Sequence, residues 1–168
     1  QLNYMRRQSL GVRTDRILVV KFPGPTEGMK IKMEAMRKAI RKLPLVSKVT
    51  CSGSVPGEEV AMFLSNRRTH DALKQNRLYE MLSCDPDYMD AYGLELVAGR
   101  GFSEDYGDDV NKLVINETAA RTLGYTDYES VIGEEISVET IEEPMQVIGV
   151  VKDYHQQALN RNYTPIML

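Results

Sequence analysis

The sequence predicts an α+β fold, and three observations carry that expectation. Short apolar runs rich in β-branched residues recur along the chain between Gly, Pro, Asn and Asp breaks, as strands do. One long stretch, Met29 to Leu43, repeats its apolar residues at helical spacing instead, and several shorter stretches carry helix caps. The composition is that of a folded chain, with 42% hydrophobic and 27% charged residues and no low-complexity tract. Its 168 residues are enough for one good core, or for two small lobes sharing one.

Gln1 to Thr14 carries Arg6, Arg7 and Arg13 among scattered apolar residues and reads as a lead-in, with Gly11 ending its turn. Arg16 to Phe22 is the first expected strand, closed by Pro23-Gly24-Pro25. Thr26 caps the helix that follows, in which Met29, Met33, Met36, Ile40 and Leu43 form one stripe until Pro44 stops it. The opposite face holds Lys30, Lys32, Arg37, Lys38, Arg41 and Lys42 against Glu34. Such a face could meet anionic lipid or an acidic partner, but a charge run is usually a solvated helix surface, and that reading is favoured. Leu45 to Ser52 is the next expected strand, so the unit would be a βαβ crossover. Val60 to Leu64 and Leu78 to Cys84 follow as strands. Between them Asn66 to Arg77, with His70, reads as an exposed loop or hairpin tip.

Asp85-Pro86 has the chemistry of a helix start, and Gly93 closes that helix. Leu94 to Ala98 is a strand, and Gly99-Arg100-Gly101-Phe102 a tight turn. Lys112 to Ile115 is a strand, after which Asn116 caps a helix ended by Gly124. Tyr128 to Ile132 adds one turn before Gly133. Glu134 to Thr140 alternates as a half-exposed strand, and Glu142-Glu143-Pro144 connects it to Met145–Val151, which returns antiparallel. That last run is apolar throughout, so it should be buried on both faces, and Gly149 within it marks a bulge or a close backbone approach. Asp153 sits where the cap of a short following turn would be, with Gln156 placed to return the hydrogen bond. Tyr163 to Leu168 is extended.

The chemistry of the chain is mostly a set of exclusions. A net charge of -3 argues against a nucleic-acid partner, which needs a basic surplus. No apolar run approaches the roughly 20 residues of a membrane helix. The chain opens at Gln1 without Met and closes on apolar Ile166-Met167-Leu168, so it reads as a piece of a longer protein. Cys51 and Cys84 could pair, or could be two reduced, buried thiols. No nucleophile elbow frames a Ser or Cys, and no phosphate-cradling glycine motif occurs. Glu104, Asp105, Asp108 and Asp109 lack the spacing of a calcium loop, and Cys51, Cys84, His70 and His155 lack the paired spacing of zinc sites. Asp153 and His155 could form a base or metal pair, but their place after a strand favours an architectural role. We therefore expect no catalytic residue, no cofactor and no metal.

Four patches occur in an order that identifies a resemblance. They are Tyr4-Met5-Arg6-Arg7-Gln8-Ser9-Leu10-Gly11-Val12; Tyr88-x-x-x-Tyr92-Gly93-Leu94-x-Leu96-x-x-Gly99-Arg100-x-Phe102; Val114-Ile115-Asn116-Glu117-x-Ala119-Ala120; and Ile132-Gly133 with Val147 to His155. The chain resembles the extracytoplasmic domain of MacB-like ABC transporter permeases, inserted between the first and second membrane helices of a four-helix permease. The resemblance implies a two-lobed domain. Residues 1–15 would lead in from a membrane helix, 16–84 with 146–168 would form a porter-like lobe, and 85–145 a smaller inserted lobe. It implies Gly93, Gly99, Arg100, Phe102, Asn116, Gly133, Gly149 and Asp153 as structural motif residues, with no catalysis of its own. It also implies a cytoplasmic ATPase acting through the membrane helices, a second permease copy, and a periplasmic adaptor or lipoprotein as partners, at the periplasmic face of the inner membrane. Asp153 would then cap a force-transmitting hinge. The alternative is an extracytoplasmic small-molecule sensor, which a deep apolar pocket with convergent polar groups would favour.

Overall fold

A computed structural model describes residues 10–22, 28–70, 75–103 and 109–168. Helix α1 spans Met29–Ile40, and strands β1 (Phe63–Arg68) and β2 (Arg77–Met81) form a hairpin. Helix α2 (Tyr88–Tyr92), β3 (Leu96–Gly99), β4 (Lys112–Asn116) and α3 (Glu117–Thr122) follow. A 3-10 turn over Glu129–Val131, then β5 (Glu135–Val138), β6 (Met145–Val151) and β7 (Ile166–Met167) complete the order. The fold is mixed α and β, built on one seven-stranded sheet in the order β3-β6-β4-β7-β2-β1-β5. Because β5 also pairs with β6, six strands make a closed circuit of ladders, with β3 added on β6 beyond the end of β5. Strands from 85–145 lie between and beside strands from the flanking segments in this sheet.

Strand alternation explains the two cores. On β4, Leu113 and Ile115 face the first core while Val114 faces the second. The first core gathers Tyr79, Ile136, Val138, Met167 and, from α3, Ala119 and Ala120. The second holds Tyr88, Met89 and Tyr92 of α2 against Ile148, Val151, Tyr154 and Ile166. Strand β6 is buried on both faces, as its unbroken apolar sequence requires. Its Val147 and Val150 both enter the first core, although residues three apart on a regular strand point to opposite sides. A register shift resolves this: Leu113 pairs with Val147 but Val114 with Gly149, so one residue of β6 is absorbed in a bulge.

Several expected elements differ. Residues 17–22 form no strand; Leu18 is 88% exposed, and no described segment offers its backbone a ladder. Apolar, β-branched sequence makes a strand only where a neighbour accepts its hydrogen bonds. Leu45 to Ser52 likewise contributes only a single bridge, Ser52 to Cys84, so the βαβ crossover does not form. Helix α1 stops at Ile40, ahead of Pro44, because Lys42 and Leu43 turn their N–H groups to the Ala39 and Ile40 carbonyls in tighter turns. Its stripe is only half-buried, and Leu43 is exposed. The expected cap Thr26 and the break at Pro23-Gly24-Pro25 lie outside the described residues.

The expected loop from Asn66 to Arg77 is partly ladder. Asn66 to Arg68 pair with β5, and Asn66 is fully buried, with its Nδ2 against the sulfurs of Met81 and Met167. The helix after Asp85 begins only at Tyr88, because the Asp85 carboxylate is occupied elsewhere: Thr50 Oγ1 (2.5 Å) and the Cys51 N–H (2.9 Å) donate to it. The tight turn expected at Gly99 to Phe102 does not form: Gly99 ends β3 in the left-handed conformation, and the Arg100 N–H donates to the Ile148 carbonyl and prolongs pairing with β6. Cys51 and Cys84 are free and half-buried, and burial pushes the Cys84 thiol up to about 12.

Candidate functional site

The stretch after β6 forms a polar junction with the start of α3. Strand β4 runs into α3 without a loop, because Asn116 serves both: its backbone is extended and its Oδ1 accepts the Ala119 N–H at 2.9 Å. The same Oδ1 accepts the Ile166 N–H (3.0 Å) and Nδ2 donates to the Thr164 carbonyl (2.8 Å), so one side chain ties the helix start to β7. Asp153 does not cap a turn of its own, and no helical turn follows it. Its Oδ1 accepts the Thr118 N–H and its Oδ2 the Thr118 hydroxyl, both at 2.8 Å, and Arg121 adds a salt bridge. The helix it caps is therefore α3, since the free N–H groups there outcompete a turn that would have to be built. Glu117 returns the bond by accepting the Asp153 N–H at 3.0 Å. This is a capping box closed between two segments rather than within one.

Gln156, expected to answer Asp153, instead donates to the Val55 and Glu58 carbonyls. His155 is buried, stacks on Tyr163 with ring centroids 4.6 Å apart, and donates its backbone N–H to the Leu10 carbonyl. Its neighbour Gly11 packs against Asp153 and Tyr154, and the Arg13 N–H reaches the Tyr92 carbonyl. Leu10 and Gly11 are thus fastened to the same junction, and Arg13 to the end of α2. Among the described residues no group of His, Cys, Asp and Glu is arranged to hold a metal.

Three of the remaining motif residues, Gly99, Arg100 and Gly149, meet where β3 crosses β6. Gly99 lies opposite Gly149, and a Cβ on Gly149 would stand 2.1 Å from the Arg100 carbonyl oxygen. Arg100 grips Asp109 with two parallel hydrogen bonds of 2.9 Å, which hold that carboxyl below its ordinary range. The acidic run expected as a loop therefore ends in an ion pair, while 104–108 lie outside the described residues. Phe102 packs on the second core. Gly93 closes α2 in the left-handed conformation, and the Gly133 N–H donates to the Val147 carbonyl.

Two concavities flank this frame. One, of about 610 Å³, is lined by Met62, Leu82, Phe102, Leu113 and Leu168 among others, and its charged wall residues are already engaged, Asp109 by Arg100 and Lys112 by Gln146. The other, of about 530 Å³, has Glu80 in its wall. Glu80 is 2% exposed, and burial raises its carboxyl above the ordinary range, against the opposing pull of Thr164 and Gln157. Sequence reasoning missed it, although a lone charge inside the apolar run Leu78 to Cys84 was the signal.

The profile of the MacB-like periplasmic core domain matches residues 2–167. The chain belongs to this family. The fold agrees with three solved structures. The extracellular domain of the noncanonic ABC-type transporter YknZ from Gram-positive bacteria is 18% identical, with a TM-score of 0.54 over 80% of this chain and 59% of that one. A domain of a putative permease protein from Porphyromonas gingivalis is 17% identical, with a TM-score of 0.51 over 77% and 54%. The periplasmic region of MacB from Actinobacillus actinomycetemcomitans is 18% identical, with a TM-score of 0.51 over 85% and 68%. The chain thus spans between about half and two thirds of the length of these relatives. No curated protein sequence matches it. No helix among the described residues is long and apolar enough to cross a membrane.

In this MacB-like domain the Asp153 junction gives a direct prediction. The Asp153 side chain is 7% exposed and holds Thr118 and Arg121 at once. Asp153→Ala should lower unfolding stability by about 2 kcal/mol, from a lost helix cap and unpaired donors. Urea unfolding should show a lower midpoint with unchanged slope, and Asp153→Asn should recover part of the loss by keeping an acceptor for the Thr118 N–H.

Proposed function

We propose that this domain is the extracytoplasmic, non-catalytic part of an ABC transporter permease, held between its first and second membrane helices at the periplasmic face of the inner membrane. Motion driven by a cytoplasmic ATPase passes through those helices into the domain, which moves or hands over a substrate, or acts on an adaptor or lipoprotein partner. The observation that carries this reading is the family match over residues 2–167. The junction at Asp153 supports it, because the segment after β6 is bonded there to α3 and, through the His155 N–H, to the Leu10 carbonyl. Displacement entering by either segment would load the same node, so we assign Asp153 to a force-transmitting hinge.

The test uses the full permease with its ATPase in spheroplasts. With Cys51 and Cys84 replaced by Ser, a cysteine is placed at Leu45, which is 98% exposed. A membrane-impermeant maleimide should label Leu45→Cys without lysis. Labelling that requires permeabilisation would overturn the placement.

A further inference from the structure

Helix α1 is joined to the body of the domain by charge rather than by burial. Among the described residues, neither core takes a side chain from 28–50, and Met33, Met36 and Ile40 stay half-buried. Among the same residues, every hydrogen bond and ion pair that joins 29–49 to the rest of the chain ends on Asp85, Asp87 or Asp90. Arg37, its side chain 12% exposed, reaches Asp85 at 3.4 Å and Asp87 at 3.1 Å. Arg41 pairs with Asp87 as well, and Lys48 with Asp90. The basic face read from the sequence is thus divided: Lys32, Lys38 and Lys42 are exposed, while Arg37 and Arg41 hold the approach to α2. Asp87 can receive both because, although it precedes α2, its side chain makes no cap bond there.

We propose that residues 29–49 form an arm latched electrostatically to α2, which opens as one unit with the sheet intact when Asp85 and Asp87 lose Arg37 and Arg41. Most helices are held by burial of an apolar face, and this one has no place in a core. Ion pairs at a surface are individually weak and are screened by salt, so a helix docked by them is the first to leave as ionic strength rises. The acidic side of the latch stays put, because Tyr88, Met89 and Tyr92 anchor α2 in the second core. The arm pivots at its far end. There the Asp85 carboxylate accepts from Thr50 and Cys51, and the Asp85 N–H donates to the Cys51 carbonyl at 3.0 Å. Release breaks no ladder and no core contact, which places it among local openings far below the cost of global unfolding.

Amide exchange on the 168-residue chain tests this, with α1 compared against β6. Passing from low salt to about 1 M sodium chloride, where the screening length falls to roughly 3 Å, should speed α1 exchange about tenfold and leave β6 unchanged. Asp87→Asn should give the faster rate already at low salt and lose most of the salt dependence, while Lys152→Ala, which removes the distant pair with Glu95, should do neither. Cys51 supplies a second readout, since it is half-buried beside the latch and its thiol is raised by burial first and by Asp85 next. With Cys84 replaced by Ser, N-ethylmaleimide, a neutral reagent, should label Cys51 several times faster at high salt. Protection of α1 that ignores both salt and Asp87→Asn would overturn the proposal, as would acceleration of β6 together with α1. Faster exchange in α1 without faster labelling of Cys51 means that the helix frays in place, and overturns it too. Should Asp87→Asn fail to fold, the salt series on the wild type and the Cys51 labelling decide the question.

Discussion

Gly149→Ala is expected to destabilise the domain by about 3 kcal/mol or more, the range of severe overpacking. The added Cβ would lie 2.1 Å from the Arg100 carbonyl oxygen and 3.0 Å from its carbon. These obstacles are backbone, so no side-chain rotation relieves them. Relief requires β3 to move away from β6, which breaks the bond between the Arg100 N–H and the Ile148 carbonyl and disturbs the Arg100–Asp109 clasp that follows. Gly124→Ala is the control: its φ of +97° strains an L residue, but nothing lies within 4 Å of the added atom. That change should cost about 1 kcal/mol. Chemical denaturation of both variants checks the difference, and amide exchange at Arg100 should accelerate only in Gly149→Ala. Equal losses in the two would show that close packing at the crossing is not what requires glycine.

The centre of this fold was legible because its signals are local and redundant. Val147 to Val151 is apolar on both faces, and only a strand covered on both sides can use it. Asn116 stands at a strand-to-helix change where a cap is needed, and there it caps. The N-terminal third misled for the converse reason. Residues 17–22 and 45–52 have strand composition, but strand formation depends on a partner ladder, and sequence composition carries no record of which partners are present.

The polar junction was half legible. Asp153 has the chemistry of a cap and acts as one, but on a different helix from the turn its position suggests. A capping carboxylate is local in chemistry but not in reach, and the N–H groups of α3 lie 35 positions away in sequence. Glu80 escaped for a related reason: its environment is assembled from β2 and from residues 157–164, which nothing in the sequence places together. Asp85 shows the same effect, because its carboxylate serves Thr50 and Cys51 rather than the helix next to it.

Asn116→Ala is the second large effect expected, again about 3 kcal/mol. The side chain is 1% exposed and makes three bonds, accepting from the Ala119 and Ile166 N–H groups and donating to the Thr164 carbonyl. Truncation leaves all three backbone partners buried or half-buried without a replacement, each worth about 1 kcal/mol. The consequence reaches beyond the helix cap. Strand β7 is only two residues long, yet it joins β4 to β2 in the middle of the sheet. A ladder so short cannot hold the two halves of the sheet by itself, and Asn116 adds a bond from β4's own end to the first residue of β7. Asn116→Ala should therefore reduce the cooperativity of unfolding, seen as a shallower denaturant slope, as well as the midpoint. Amide exchange should accelerate at both Ala119 and Ile166. Asn116→Asp separates the roles, since it keeps the acceptor for both N–H groups but sets an oxygen against the Thr164 carbonyl. Protection at Ala119 and Ile166 should survive in that variant while stability falls part-way. If Ile166 exchanges at the wild-type rate in Asn116→Ala, the stitch between helix and strand is not what holds β7 in the sheet.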